Sequence, residues 1–404
     1  MSVCKNAKRK ITGVTLLFVQ RRRAERYLSQ TKEDFFVQLF YDLFSNVLNF
    51  TWQQGVMIAV GCVLVALAIK KQMEPSLLLP MGFGAILVNL PFVHTEAIET
   101  LFNAGIASEL FPLLLFIGIG AMIDFGPLLT NPKMFLFGAA AQFGIFFTLV
   151  VAVILGFDLK DAASTAIIAA ADGPTSIYVA NYFNSSYQGA IMVAAYSYMA
   201  LVPIIQPPII KAITTKRERM IRMEYAPDQI SKTTRIVFPI FVTIIAGTVA
   251  PKSAELIGFL MFGNLVRESG VLESLSQSAQ HELANLVTLL LGLSVSFRMK
   301  AELFLTWETL LILALGLLGF VFDTVGGVFF AKLLNLFSKK KINPMVGAAG
   351  ISAFPMASRM VHKMGQEEDP YNFLLMHAAG ANVSGQIASV IAGGLIITLV
   401  EQLL

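Results

Sequence analysis

From residue 54 onward the chain repeats one pattern: an apolar stretch near the roughly 20 residues that cross a bilayer as a helix, then short punctuation by Pro, Gly, Asn or charge. That pattern commits the chain to lipid. Only 14% of its 404 residues are charged and 56% are hydrophobic, whereas a soluble domain carries about 25% charge. So much apolar surface cannot be hidden in water. The expected fold is an all-α polytopic membrane protein of about 10–12 segments, at 54–70, 77–91, 105–123, 134–157, 163–183, 189–209, 236–251, 255–267, 284–297, 308–331, 343–360 and 373–400. No soluble catalytic domain is expected beside it.

Cys4 and Cys62 are too few for a disulfide framework, and His94, His281, His362 and His377 lack metal-ligand spacing. The net charge of +4 is small and sits in loops, where it reports orientation rather than nucleic-acid binding. Residues 1–50 read as a basic extension followed by an aromatic, amphipathic surface helix at 35–50, since the apolar run at 11–19 is short and basic on both sides. The polar loop 211–235 is strongly basic, which places it in the cytoplasm, and Lys339, Lys340 and Lys341 suggest a second cytoplasmic edge.

Between these landmarks the chain divides into two membrane repeats, 51–210 and 236–404. MGFGAILVNL (81–90) answers IGFLMFGNLV (257–266), LLLFIGIGAMIDF (113–125) answers LLLGLSVSFRMKA (289–301), and AAADGPTSIYVA (169–180) falls opposite VGAAGISAFPMA (346–357). A nearly constant offset joins all three pairs. Internal symmetry of this kind marks secondary-transporter folds, whose ion site forms where two broken helices meet near the midplane. The short stretches at 77–91 and 255–267 favour an inverted over a parallel arrangement.

Asp172 lies in a nearly uncharged stretch and is followed by Gly173 and Pro174, which must interrupt the helix. A carboxylate in lipid is costly unless a proton or a bound cation neutralises it, and unwound carbonyls supply further oxygen ligands. The plainer reading is an aspartate capping a half-helix. The matching stretch around Asn343, Gly347 and Ser352 offers neutral oxygens and exposed main chain but no acid. One carboxylate among neutral oxygens suits a monovalent cation such as sodium better than calcium or magnesium. Close helix packing is the alternative for Gly347 and Ser352.

Other polar residues carry two readings each. Tyr196 and Tyr198 precede expected breaks at Pro203, Pro207 and Pro208, and a tyrosine there either anchors at the interface or faces the site. Asn382 in the last span is an oxygen donor or a packing residue. Arg359 either snorkels to the headgroups or receives a carboxylate at the cytoplasmic mouth. Asp323, a second acid in the membrane, is a proton relay or sits in a wet cavity.

At these motifs the chain resembles the β subunit of the sodium-pumping biotin-dependent decarboxylases that act on oxaloacetate, methylmalonyl-CoA and glutaconyl-CoA. The resemblance covers residues 55–400 and rests on DFGPLLTNP, GAAAQFGIF, ADGPTSI, VAAYSYMALVPIIQPPI, MFGNLVRESGV, INPMVGAAGISAFPMASR and NFLLMHAAGANVSG. It implies a subunit that accepts carboxybiotin from a separate biotin carrier, releases carbon dioxide, consumes a proton and exports sodium. It further implies that Asp172, Tyr198, Ser352 and Arg359 take part in the reaction and that Arg359 orients the carboxybiotin carboxylate. Asp172, Asn343, Gly347, Ser352 and Asn382 would hold sodium. Ala381 and Gln386 depart from the family pattern, which has proline and a small apolar residue at those positions.

The implied partners are a biotin carrier subunit, a carboxyltransferase subunit, a small membrane-anchored accessory subunit and further copies of the chain, often as a trimer, in the bacterial inner membrane. The chain has no Met-Lys-Met biotinylation motif, so biotin is expected to arrive on a partner. A plain sodium- or proton-coupled transporter or antiporter would use the same Asp172 and stays open as the alternative. A purely structural anchor would have no need of an acid at a helix break.

Overall fold

The computed structural model of the protein describes Leu39, Tyr41 and residues 50–404, apart from 73, 74, 92 and 225–229. The basic extension and surface helix expected over 1–50 lie almost wholly outside the described residues. Every regular element among those described is helical, as the bilayer demands of a chain that must satisfy its main chain without water.

The N-terminal half contains α1 (Trp52–Lys71) and α2 (Pro75–Val88), then Glu96–Leu101 with a π-helical turn at Phe102–Ala107, and α3 (Leu110–Met122). It continues through α4 (Pro132–Ile154), α5 (Leu159–Ala166), α6 (Gly173–Tyr182) and α7 (Gln188–Ile213). The C-terminal half contains α8 (Lys232–Val249), α9 (Ala254–Ser269), α10 (Glu273–Met299, with a π-helical turn at Ala279–Leu283), α11 (Trp307–Phe337), α12 (Met356–Glu368) and α13 (Leu375–Leu403). Side-chain caps set several starts. Thr51 and Gln54 form a reciprocal capping box before α1, Ser231 accepts from Thr234 N before α8, and Thr306 accepts from Thr309 N before α11.

Among the described residues seven helices are long and apolar enough to cross a membrane, or eight if the pair Glu96–Ala107 and Leu110–Met122, bent by 62°, is one span. The shortfall from 10–12 lies in four stretches. α2 and α9 have 14 and 16 residues, and the chain through 163–183 and 343–360 leaves helical geometry midway. The breaks expected at Pro203, Pro207 and Pro208 do not occur, because one continuous α7 passes through all three. Gln206 holds that stretch by donating to Thr324 Oγ1 and the Ala348 carbonyl, each at 3.0 Å, so tertiary bonds compensate for what proline removes.

Burial sorts the helices into edge and centre. Only 17% of the apolar window of α8 is buried, against 72% for α13, so α8 presents its sides to lipid while α13 is a central post. The two halves also embrace each other. α3 packs on α9 so closely that a Cβ at Gly120 would come within 1.8 Å of the Leu260 carbonyl and one at Gly263 within 2.0 Å of the Ile117 carbonyl. α2 packs likewise on α10. Asn264 donates to the Ile123 carbonyl at 3.0 Å just past α3, and Asn89 to the Met299 carbonyl at 2.8 Å at the end of α10.

At one end of the bundle the segment after α7 is bolted down. Arg219 pairs with Glu368 at 2.6 Å, and Arg222 grips Asp369 with two bonds of 2.6 and 3.0 Å. That guanidinium holds the Asp369 carboxyl below its ordinary value. The pair therefore persists through neutral pH and is lost only as acidification protonates Asp369.

Candidate functional site

Asp172 occupies the first helix interruption. α5 continues as a 3₁₀ turn over Ile167–Ala170, Ala171 adopts a left-handed conformation (φ 51°), and Asp172 is extended (φ −116°, ψ 93°) before α6 starts at Gly173. Pro174 forces this locally, since it has no N–H to give the preceding turn yet fits the first turn of a new helix. Asp172 thereby becomes the N-cap of α6, its Oδ1 accepting from Thr175 N at 3.3 Å.

The capping role uses one oxygen and leaves the other in a polar shell. Asp172 is 3% exposed. Its Oδ2 accepts from Ser389 Oγ at 2.6 Å, Thr175 Oγ1 at 2.8 Å and Gln386 Nε2 at 3.2 Å. No lysine, arginine or histidine pairs with it among the described residues. A buried carboxylate with hydroxyl and amide neighbours but no fixed countercharge is balanced by a proton or a mobile cation.

The second interruption follows the helical turn Met345–Ala348 and lasts until α12 begins at Met356. Ser352 ties the two interruptions together, its N and Oγ both donating to the Ala170 carbonyl at 3.3 and 2.8 Å. α13 lies across both. A Cβ at Gly385 would come within 2.2 Å of the Gly350 carbonyl, so the helix touches the second interruption main chain to main chain. Asn382 donates to the Ile351 carbonyl at 2.7 Å, while its own Oδ1 is buried without a partner. Asn382 shares a face of α13 with Gln386 and Ser389, which donate to Asp172, and an orphaned buried acceptor is a group that a cation can satisfy.

The structure thus gathers Asp172, Ser352 and Asn382 at one place. The other sequence candidates stand elsewhere. Tyr198 donates to the Leu313 carbonyl on α11, and it is Tyr196 whose ring lies against Gly173, where an added Cβ would meet it at 2.2 Å. The Tyr196 hydroxyl is buried without a partner. Asn343 donates to the Arg219 and Ile221 carbonyls at 2.8 and 2.9 Å and accepts from Met345 N at 3.0 Å. Gly347 faces Gly327 of α11. Arg359 is exposed on α12. Asp323, fully buried, receives the Gly144 main-chain N–H midway along α4.

Ser389 and Thr175 are not among the sequence candidates, Gln386 enters there only as a departure from the family pattern, and of the two tyrosines weighed it is Tyr196 that lies at the interruption. A signal was present in the last span: Asn382, Gln386 and Ser389 are spaced i, i+4 and i+7, a polar stripe on one face of an otherwise apolar helix.

Comparison with known proteins agrees with the motifs. The family model described as Na+-transporting oxaloacetate decarboxylase beta subunit matches residues 53–400. Over 359 residues the chain is 48% identical to the glutaconyl-CoA decarboxylase subunit beta of Acidaminococcus fermentans, covering 88% of this chain and 96% of that one. It is also 48% identical to the methylmalonyl-CoA decarboxylase subunit beta of Veillonella parvula, covering 89% and 96%. With the oxaloacetate decarboxylase beta chain of Haemophilus ducreyi the identity is 43% over 425 residues, covering 89% and 98%. A buried carboxylate at a helix interruption, a family match over residues 53–400 and identities of 43–48% along nearly the whole length lead to one conclusion: the chain belongs to the family of Na+-transporting oxaloacetate decarboxylase beta subunits.

Proposed function

We propose that this chain is the membrane subunit of a sodium-pumping, biotin-dependent decarboxylase. A partner carries carboxybiotin to it, the bond between the ureido nitrogen and the carboxyl carbon breaks, and carbon dioxide leaves. The electron pair stays on nitrogen, which takes up one proton. Asp172 couples that proton demand to sodium, because a single carboxylate without a fixed countercharge holds either a proton or a cation. The observation that carries this reading is the buried Asp172 shell, with the unpartnered Asn382 Oδ1 one helical turn along α13 from Gln386.

In this reading sodium is the cargo, held by Asp172, Ser352 and Asn382, with Gln386, Ser389 and Thr175 as further oxygen donors. Asn343 and Gly347 act by fixing the second interruption, Tyr198 by bracing α11, and Arg359 receives the carboxybiotin carboxylate. The subunit sits in the bacterial inner membrane with a biotin carrier, a carboxyltransferase and a small membrane-anchored subunit, as a trimer.

The two halves, 51–210 and 236–404, are inverted repeats whose interruptions meet near the midplane. Three features support this: the crossed pairs α2 with α10 and α3 with α9, the matching Asn89 and Asn264 bonds, and π-helical turns at Phe102–Ala107 and Ala279–Leu283. At 1.5 Å per residue, the 14 residues of α2 reach about 21 Å, short of the roughly 30 Å hydrocarbon core. Removing one crossing from six leaves an odd number per half, which turns the second half over.

Sodium-22 uptake into inverted vesicles holding the chain with its biotin-bearing partners tests the proposal, started by oxaloacetate or a candidate acyl-CoA. Uptake accompanied by carbon dioxide release is expected. Sodium movement down its gradient without any carboxylated partner would instead make the chain a plain transporter.

Gln386 offers a finer test. Its amide supports the charged form of Asp172, and a hydrogen bond to a charged group contributes about 1.5–3 kcal/mol. Gln386→Leu is expected to raise the sodium concentration for half-maximal uptake by about tenfold, more at low pH than at high pH, where protons compete less. An unchanged half-saturation at both pH values would reduce Gln386 to a packing residue.

A further inference from the structure

Two cavities of opposite character meet at Leu136. One, of about 590 Å³, is a groove between α4, α8 and α13, walled by residues such as Leu136, Phe146, Phe241, Ile387 and Leu395. The other, of about 1030 Å³, opens at the end of the bundle where α4 and α13 begin and α11 finishes. Its rim carries Lys133, Arg222, Lys339, Lys340 and Lys341 against one acid, Glu224. No acid pairs with Lys133 or Lys339 among the described residues, Lys340 stands 3.9 Å from Glu224 with both nearly fully exposed, and Arg222 is engaged by Asp369.

The two are stacked along the helices. α4 borders the basic cavity at Lys133 and the apolar groove from Leu136 to Phe146, and α13 borders them at His377 and from Ser384 to Leu395. The ten helical steps from Leu136 to Phe146 span about 15 Å, half of the roughly 30 Å hydrocarbon core. A basic mouth over an apolar groove one leaflet deep has the shape and polarity of a phospholipid.

We propose that this is a binding site for one anionic phospholipid, its phosphate among Lys133, Arg222 and the three consecutive lysines and an acyl chain in the groove. Charge and apolar length together select the occupant. A free phosphate has no use for the groove. An apolar partner helix would fill the groove but leave the basic mouth unanswered.

The site has a route to the reaction centre. Ser384, Ile387 and Ile391 face the groove, while Asn382, Gln386 and Ser389 lie on the opposite side of α13 and face the second interruption or Asp172. An acyl chain in the groove presses on the back of the helix that lines the cation site. Lipid binding stands without the sodium reading of that site; only its effect on transport rests on it.

Native mass spectrometry of the full chain, stripped of lipid and titrated with phosphatidylglycerol, phosphatidylcholine or inorganic phosphate, tests the proposal. Phosphatidylglycerol is expected to bind at least about tenfold more tightly than phosphatidylcholine. The combined K339Q, K340Q and K341Q replacements, all at exposed positions, are expected to abolish that preference. A139W, which fills the groove from an exposed position, is expected to weaken binding of both lipids while the unfolding temperature is retained. Equal affinity for the two lipids would overturn the proposal. So would displacement of the lipid by inorganic phosphate with A139W without effect, or cross-linking of groove residues to a partner subunit rather than to lipid in the assembled complex.

Discussion

Asp172→Asn is expected to leave a folded protein that neither accumulates sodium nor releases carbon dioxide, with both rates down by at least about 100-fold, or about 2.7 kcal/mol. The change keeps the size of the side chain and its helix cap, since asparagine caps as well as aspartate, so the unfolding temperature should hardly move. What disappears is the negative charge that accepts from Ser389, Thr175 and Gln386. A neutral amide cannot exchange a proton for a cation, and so the two fluxes must fall together. Sodium-22 uptake and carbon dioxide release measured on the same vesicles check this. Normal pumping by the variant would reduce Asp172 to a helix cap, and loss of sodium transport with decarboxylation intact would place the proton elsewhere.

Gly347→Val is expected to fail for a different reason, by losing more than about 3 kcal/mol of stability. A Cβ at Gly347 would come within 2.0 Å of the Gly327 carbonyl, and one at Gly327 within 2.1 Å of the Gly347 carbonyl. Neither obstacle is a side chain that could rotate away, so α11 and the turn at Met345–Ala348 must separate. Gly327→Val should produce the same loss from the other side. Thermal unfolding of purified protein reads the effect. An unchanged unfolding temperature combined with lost sodium binding would give Gly347 a direct role at the ion instead.

The two cases show why some site residues are legible in a sequence and others are not. Asp172 declares itself because an acid before Gly-Pro in an apolar run has few structural uses, and both chemical facts are local. Ser389 and Gln386 are ordinary polar residues 217 and 214 positions away from it, and only the crossing of α13 over the interruption gives them meaning. The tyrosines make the same point at close range. Tyr196 and Tyr198 differ by two positions, about 200° around a helix, so only one can face Gly173, and rotation of α7 decides that it is Tyr196. Proline was misleading in α7 for a related reason: Gln206 and its partners on other segments hold the helix together where local chemistry would break it.

The sequence by itself determined that the chain lives in a bilayer, that its regular elements are helices, and that a carboxylate stands at a helix interruption in an apolar stretch. Those properties follow from hydropathy, from main-chain bonding without water and from the stereochemistry of Gly-Pro, none of which needs a distant neighbour. The tertiary structure decided which segments are whole spans, which tyrosine faces the interruption, and which neutral oxygens surround Asp172. Each of these depends on how far one helix is rotated and how closely another approaches, and contacts between separate segments, from 23 positions apart for Gly173 and Tyr196 to 217 for Asp172 and Ser389, leave no trace in local composition.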